Sequence, residues 1–265
     1  IRGMEDAVAI TDMQLLSFII VRFSGLVFLN PALGRKNYPA MAKSALVLAL
    51  SIFAYLFPEI SHSMEQEVLI VTPLVYGVLL LKELLVGAVL GFIFEMFFAV
   101  VQYAGAVMDF GMGLSMATAY DPQSNVSMSI NANLYYLFML ALFFITDSHL
   151  VFLRIVLLAG REVPYGNFIV MPGLIWTCLR MFQDCMEMAL RMAFPMMAVQ
   201  LLTEAAVGIL MKMVPQIDIF VINIQTKICV GMVLLLLLVS PLGEYIQILL
   251  ENMLEGAAMA LYYFK

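Results

Sequence analysis

Apolar residues run along the chain in long blocks, and the few polar or proline interruptions mark where one block ends and the next begins. Blocks of this length read as helices. A first segment, Met13 to Leu29, stops at Asn30-Pro31, and a second, Ser44 to Phe57, stops at Pro58. The linker between them carries Arg35, Lys36 and Lys43, whereas the linker after the second carries Glu59, Glu65 and Glu67. By the positive-inside rule the basic linker is cytoplasmic and the N-terminus lies outside. A third segment, Pro73 to Met108, has no internal proline. As helix it would be roughly 54 Å long against about 30 Å of hydrocarbon. A fourth, Met128 to Leu158, contains Thr146-Asp147-Ser148-His149 as a break or kink, its polar residues serving as turn and capping groups. A linker from Gly160 to Gly173 precedes a fifth segment, Leu174 to Met213, with Pro195 near its middle as an expected kink. The turn at 213–218, which includes Pro215 and Gln216, closes a hairpin onto a sixth segment, Ile219 to Leu238. Pro241 and Gly243 are expected to loosen that helix before an amphipathic tail, Glu244 to Phe264.

Between the third and fourth segments lies the stretch Asp109 to Asn125, DFGMGLSMATAYDPQSN, which is neither a good helix nor a hydrophilic loop. Gly111 and Gly113 loosen the backbone, and Pro122 disfavours helix at Asp121. Phe110, Met112, Met116 and Tyr120 carry bulk that a solvated loop does not need. Unpaired backbone groups cost several kcal/mol each in lipid, so such a stretch is either buried in protein, lines an aqueous passage or turns at the interface.

Polar residues inside the long segments fall in register. Glu95, Gln102 and Asp109 recur every seven residues and share one helix face. They form either a polar seam against protein or a line of groups facing water. Arg180, Asp184, Glu187 and Arg191 are spaced four, three and four apart, which lines one face with ion pairs, and Glu204 extends the polar positions of the same segment. Such faces suit a wet or protein-covered surface, not lipid.

Composition turns these segments into a fold class. Of 265 residues, 64% are hydrophobic and 12% charged, and the mean hydropathy of +1.01 lies far outside the soluble range. The chain is expected to be all-α, a polytopic membrane protein with long kinked helices and a central non-helical loop. A net charge of −6 with scattered Lys and Arg excludes a nucleic-acid surface. Acidic residues rather than a basic region precede the first segment, which also contains Arg22, so it does not read as a cleaved signal peptide. Twenty-two methionines suit surfaces that seal and re-pack.

No chemistry-bearing constellation emerges. The histidines, His62 and His149, have no second His or Cys at ligand spacing, and Cys178 and Cys185 stand about 10 Å apart on a helix. Neither a metal nor a disulfide is expected. Gly111-Met112-Gly113 lacks the third glycine of a dinucleotide loop and follows no strand, and no phosphate-binding loop is present, so no cofactor and no enzymatic activity are expected. From these features alone a self-contained transporter or channel for a small solute or ion remains open, with Glu95, Gln102 and Asp109 at its site.

The motifs MDFGMGLSMATAYDPQS and VGILMKMVPQIDIFVI resemble the FliR family of flagellar export proteins over nearly the whole chain. Met112, Gly113, Leu114, Ser115, Ala117, Asp121 and Pro122 match the first motif, and Gly208, Pro215, Gln216 and Phe220 the second. His149 is similar to the family's histidine after a polar break. The spelling of the central loop favours the flagellar branch over virulence-type secretion relatives. The resemblance implies a structural and gating subunit of a type III protein export channel in the bacterial cytoplasmic (inner) membrane, at the flagellar basal body. Its implied partners are FliP-like and FliQ-like subunits, with FlhB and FlhA as neighbours and unfolded flagellar subunits as cargo. Residues 1–170 resemble a FliP-like part and 171–265 a FliQ-like hairpin with its tail. The central loop, with Phe110, Met112, Gly113, Met116, Tyr120, Asp121 and Pro122, is then the channel plug. The polar positions Glu95, Gln102, Asp109, Arg180, Asp184, Glu187, Arg191 and Glu204 face neighbouring subunits.

Overall fold

The computed structural model describes residues 2–28, 39–57, 73–114, 129–166, 168–213 and 219–264. Among them are seven α-helices and no strand: α1 (Arg2–Phe28), α2 (Ala40–Leu56), α3 (Pro73–Met112), α4 (Ile130–Ile145), α5 (Ser148–Glu162), α6 (Gly173–Met213) and α7 (Ile219–Leu261), ending in the 3₁₀ turn Tyr262–Phe264. The expected all-α membrane protein is thus observed. Three helices, Pro73–Met112, Gly173–Met213 and Ile222–Phe264, are long and apolar enough to cross a membrane, and α4 with α5 forms a candidate fourth span. In hydrocarbon a helix satisfies every backbone group internally, which is why these apolar runs resist interruption.

Three boundaries differ from expectation for identifiable reasons. The irregular stretch starts later than Asp109, because α3 continues through Met112. Gly111 is therefore helical, and the stop is made by Gly113, whose φ of +75° is the left-handed conformation that ends helices. Gly113 N–H donates to Phe110 O at 3.1 Å and Leu114 N–H to Asp109 O at 3.0 Å, the paired bonds of a Schellman cap. Gly113→Ala is accordingly expected to cost about 1–2 kcal/mol, seen as a lower thermal midpoint in detergent, whereas Gly111→Ala, whose Cβ would meet only Gln200 Cγ at 3.6 Å, costs far less.

The second difference is at the end of the sixth segment, expected at Leu238, where α7 runs on through Pro241 to Leu261. One lost backbone bond costs less than exposing a whole turn of unpaired groups in an apolar setting. The helix is likewise continuous through Pro195. The third is at the N-terminal end, where α1 starts at Arg2 and not at Met13. The break at 146–147 is present, but Asp147 makes it with a left-handed backbone (φ 56°) and no side-chain cap. Its carbonyl receives Leu150 N–H at 2.9 Å, a local geometry that Asp tolerates.

Contacts divide the chain into two compact units, one comprising Ile1–Met96, Thr146–Met181 and Asn252–Lys265, the other Phe97–Ile145 and Phe182–Glu251. In the first, α1 lies along α2 and crosses α3 so closely that a Cβ on Gly87 would run into the carbonyl of Arg22. Ser17 Oγ meets Tyr76 Oη at 2.5 Å on the same crossing. Phe94 and Phe152 pack at 4.8 Å between centroids, and Phe168 meets the fully buried Phe264 edge-on. In the second unit Phe98 stacks edge-on with Tyr136 and Phe143, beside buried Met108, Met139 and Met196.

Candidate functional site

The helices on either side of the central stretch are bonded to each other. Asp109, in the last turn of α3, is 1% exposed. Its carboxylate accepts the backbone N–H of Asn131 at 3.0 Å and the side-chain Nδ2 of Asn131 at 2.5 Å. Asn131 stands in the first turn of α4, where free N–H groups and the helix dipole favour a negative charge. Asp109 therefore caps α4 from another helix and fastens the last turn of α3 to the first turn of α4. Asn131 Nδ2 also reaches Met112 Sδ at 3.4 Å, and Met112 is fully buried. It fits over Gly231 of α7, where an added Cβ would fall 2.7 Å from Met112 Cγ and 2.9 Å from Sδ. Residues 115–128, between the two anchors, lie outside the described residues, and with them Met116, Tyr120, Asp121 and Pro122.

The two described plug candidates with large side chains thus have opposite settings. Phe110 is 78% exposed on α3, open to whatever lies beside the helix. Met112 points inward, against Asn131 and Gly231 of its own chain. The Asp109 carboxylate, expected at a subunit interface, is bonded to Asn131 inside the chain. Glu95 is exposed and Gln102 half-buried.

On the hairpin, Gln200 Nε2 of α6 donates to Lys227 O of α7 at 3.1 Å, and Lys227 Nζ pairs with Glu204 at 2.5 Å. Glu204 therefore has a partner in its own chain. Of the charges expected to pair along α6, Glu187 and Arg191 do so at 2.5 Å while remaining 60% and 70% exposed. Arg180 and Asp184 are exposed and form no ion pair among the described residues. Tyr245 of α7 donates to Met188 O at 3.0 Å, tying the same two helices again. Pro215 and Gln216 lie outside the described residues.

Sequence reasoning missed a second polar centre. Arg22 of α1, 3% exposed, pairs with the fully buried Glu83 of α3 at 2.6 Å. Arg22 Nη1 donates to Val163 O at 3.0 Å and, at 3.4 Å, to Ala159 O, while Gly166 N–H donates to Glu83 Oε1 at 2.7 Å. The guanidinium lies 4.0 Å from the centre of the Tyr165 ring. Burial pushes the Tyr165 phenol up from its ordinary pKa, against the lowering effect of Arg22. The available signal was a lone arginine inside the first apolar segment and an acid, next to Lys82, inside the third.

The family model described as bacterial export proteins, family 1, matches residues 13–253. The chain belongs to this family. Relatives within the bacterial export proteins include the flagellar biosynthetic protein FliR of Escherichia coli (strain K12), 27% identical over 246 residues covering 89% of this chain and 92% of that one. The FliR of Bacillus subtilis (strain 168) is 26% identical over 225 residues, 84% of this chain and 85% of its own. The surface presentation of antigens protein SpaR of Salmonella typhimurium is 28% identical over a shorter 163 residues, 62% of this chain and 61% of its own. Both anchors of the central stretch, Asp109 and Asn131, fall inside the region that the export family model covers.

Proposed function

We propose that this chain is a structural and gating subunit of a flagellar type III export channel, passing unfolded flagellar subunits across the cytoplasmic membrane. The observation that carries the reading is the closed neck of the central stretch: Asp109 and Asn131 fasten its two ends, and Met112 seats its approach on Gly231. Membership of an export family and two FliR relatives that align along most of the chain support the flagellar assignment. In this reading Phe110, Met116, Tyr120, Asp121 and Pro122 belong to the stopper, with Asp109, Met112 and Gly113 as its mounting. The chain itself carries out no chemical step.

The partners in this proposal are FliP-like and FliQ-like subunits, with FlhB and FlhA as neighbours. Residues 1–170 play the FliP-like part and 171–265 the FliQ-like hairpin, turning at Pro215 and Gln216. Exposed apolar residues along α6, among them Trp176, Phe194 and Leu202, support a covered state for that helix. The exposed Arg180, Asp184, Glu187 and Arg191 on the same helix, with Glu95 and Gln102 on α3, then face protein rather than lipid. Co-expression with FliP-like and FliQ-like subunits tests this directly. A tag on this chain should recover all three in fixed proportion after mild detergent extraction. Recovery of a stable, dispersed single chain in the presence of those subunits would contradict it.

A further inference from the structure

Gly111 and Met112, neighbours in the last turn of α3, rest on different arms of the α6–α7 hairpin, and all of these contacts lie in the second unit. A Cβ on Gly111 would stand 3.6 Å from Gln200 Cγ and 3.7 Å from Gln200 Cβ of α6. Met112 covers Gly231 of α7 so closely that a Cβ there would fall 2.7 Å from Met112 Cγ. Within 197–213 of α6 the one buried residue is Gln200, and within 222–241 of α7 it is Gly231. Along these stretches the arms are therefore gripped under the last turn of α3 and otherwise lie open. Gln200 also carries a mismatch. Its amide nitrogen donates to Lys227 O at 3.1 Å, and its Oε1, although buried, has no donor among the described residues. A buried acceptor without a donor is unfavourable, so a movement that brings Oε1 to water or to a donor is favoured by that much.

We propose that Gln200 and Gly231 are positioning residues of the gate, through which the α6–α7 hairpin acts as a lever on the last turn of α3. The proposal rests on the reading of the central stretch as a stopper. With the hairpin in place, Gly111 and Met112 are seated, and so are the Gly113 cap and Leu114 that begin the stretch. Movement of the hairpin unseats that turn and pulls on the Asp109 to Asn131 bonds in the same turn. Beyond Gln200, α6 runs on to Met213, an arm of roughly 20 Å at the rise of an α-helix. A partner that takes hold of the open end of the arm thus acts on the contact at Gln200 with leverage.

Disulfide geometry supplies the test. The 3.7 Å from a Gly111 Cβ to Gln200 Cβ is close to the mean of about 3.8 Å across a disulfide. Gly111→Cys with Gln200→Cys, in a chain whose Cys178, Cys185 and Cys229 are replaced by alanine, can therefore bolt the lever to α3. Inverted membrane vesicles carrying the full export complex are assayed for transport of an unfolded flagellar subunit before oxidation, after oxidation and after reduction. Oxidation should form the bond, seen as a gel-mobility shift, and stop export, and dithiothreitol should restore the level measured before oxidation. Chains with either cysteine alone should not respond to the oxidant. In the reconstituted complex Gly231→Ala, which drives Met112 off its seat, should raise resting ion conductance about tenfold, and adding Met112→Ala should bring it back toward the wild type. Undiminished export with the bond formed overturns the lever, as does failure of the bond to form or an intact Gly231→Ala complex as tight as the wild type. These results leave the export reading standing, because wild-type vesicles still export. Equal export by vesicles lacking the chain overturns that reading and the lever with it.

Discussion

Replacing Arg22 by methionine is expected to destabilise the chain by about 3–5 kcal/mol, the usual consequence of removing one partner from a buried ion pair. Glu83 has no exposed surface, so without Arg22 its charge has only Gly166 N–H for company. The loss is a large fraction of the roughly 5–15 kcal/mol that separates folded from unfolded protein. It should appear as strongly reduced protein in the membrane fraction and a lower thermal midpoint in detergent. The damage is predicted to centre on 159–166, where the Ala159 and Val163 carbonyls lose their donor. Hydrogen exchange in that segment should accelerate before exchange in α6. The double variant Arg22→Met with Glu83→Leu leaves no unpaired charge and should recover a substantial part of the loss. A single Arg22→Met variant as stable as the wild type would show that the pair contributes little.

The second large effect concerns the neck of the central stretch. Asp109→Ala removes two bonds from Asn131 to a buried carboxylate, each of the charge-assisted kind worth about 1.5–3 kcal/mol. Losing even one shifts an opening equilibrium by about tenfold or more. In an assembled gate this should raise resting ion flux through reconstituted proteoliposomes while the complex still copurifies. Asp109→Asn keeps acceptor oxygen for the backbone N–H but loses the charge, so its leak should be intermediate. Asn131→Asp opposes two carboxylates in a buried site and should leak at least as much as Asp109→Ala. Tight membranes in all three variants, with the complex intact, would separate the neck from sealing.

How much of this was readable from residue order depends on the range of the interaction. Long apolar blocks and the proline-bearing interruptions placed the helices well, because burial in an apolar medium leaves the backbone little choice. The polar pairs were not readable, since their partners stand far apart in the chain. Arg22 stands out as a charge inside an apolar run, but Glu83 has Lys82 beside it in sequence, and 61 residues separate it from Arg22. Asp109 was conspicuous and Asn131 was not, because an asparagine at the start of a helix is ordinary until a carboxylate is found against it. Gly113 was legible as a glycine but not as the end of α3; its role depends on the 3.0 Å bond from Leu114 back to Asp109. The end of the sixth segment was set too early at Leu238, since α7 continues through Pro241 to Leu261.

These contacts also reorder the candidate residues. Met112 and Asp109 are both held by Asn131 within the chain, and Glu204 is bonded to Lys227 across the α6 and α7 hairpin. The exposed residues, Phe110 on α3 and the charges on α6, remain for contacts outside the chain.

The most direct measurement is the ion conductance of the reconstituted gate after deletion of residues 115–120, which leaves the Gly113 cap and the Asp109 to Asn131 fastening in place. If the central stretch stops a passage, the complex should assemble normally and conduct at rest, well above the wild type. An intact complex that stays as tight as the wild type after the deletion would contradict the account.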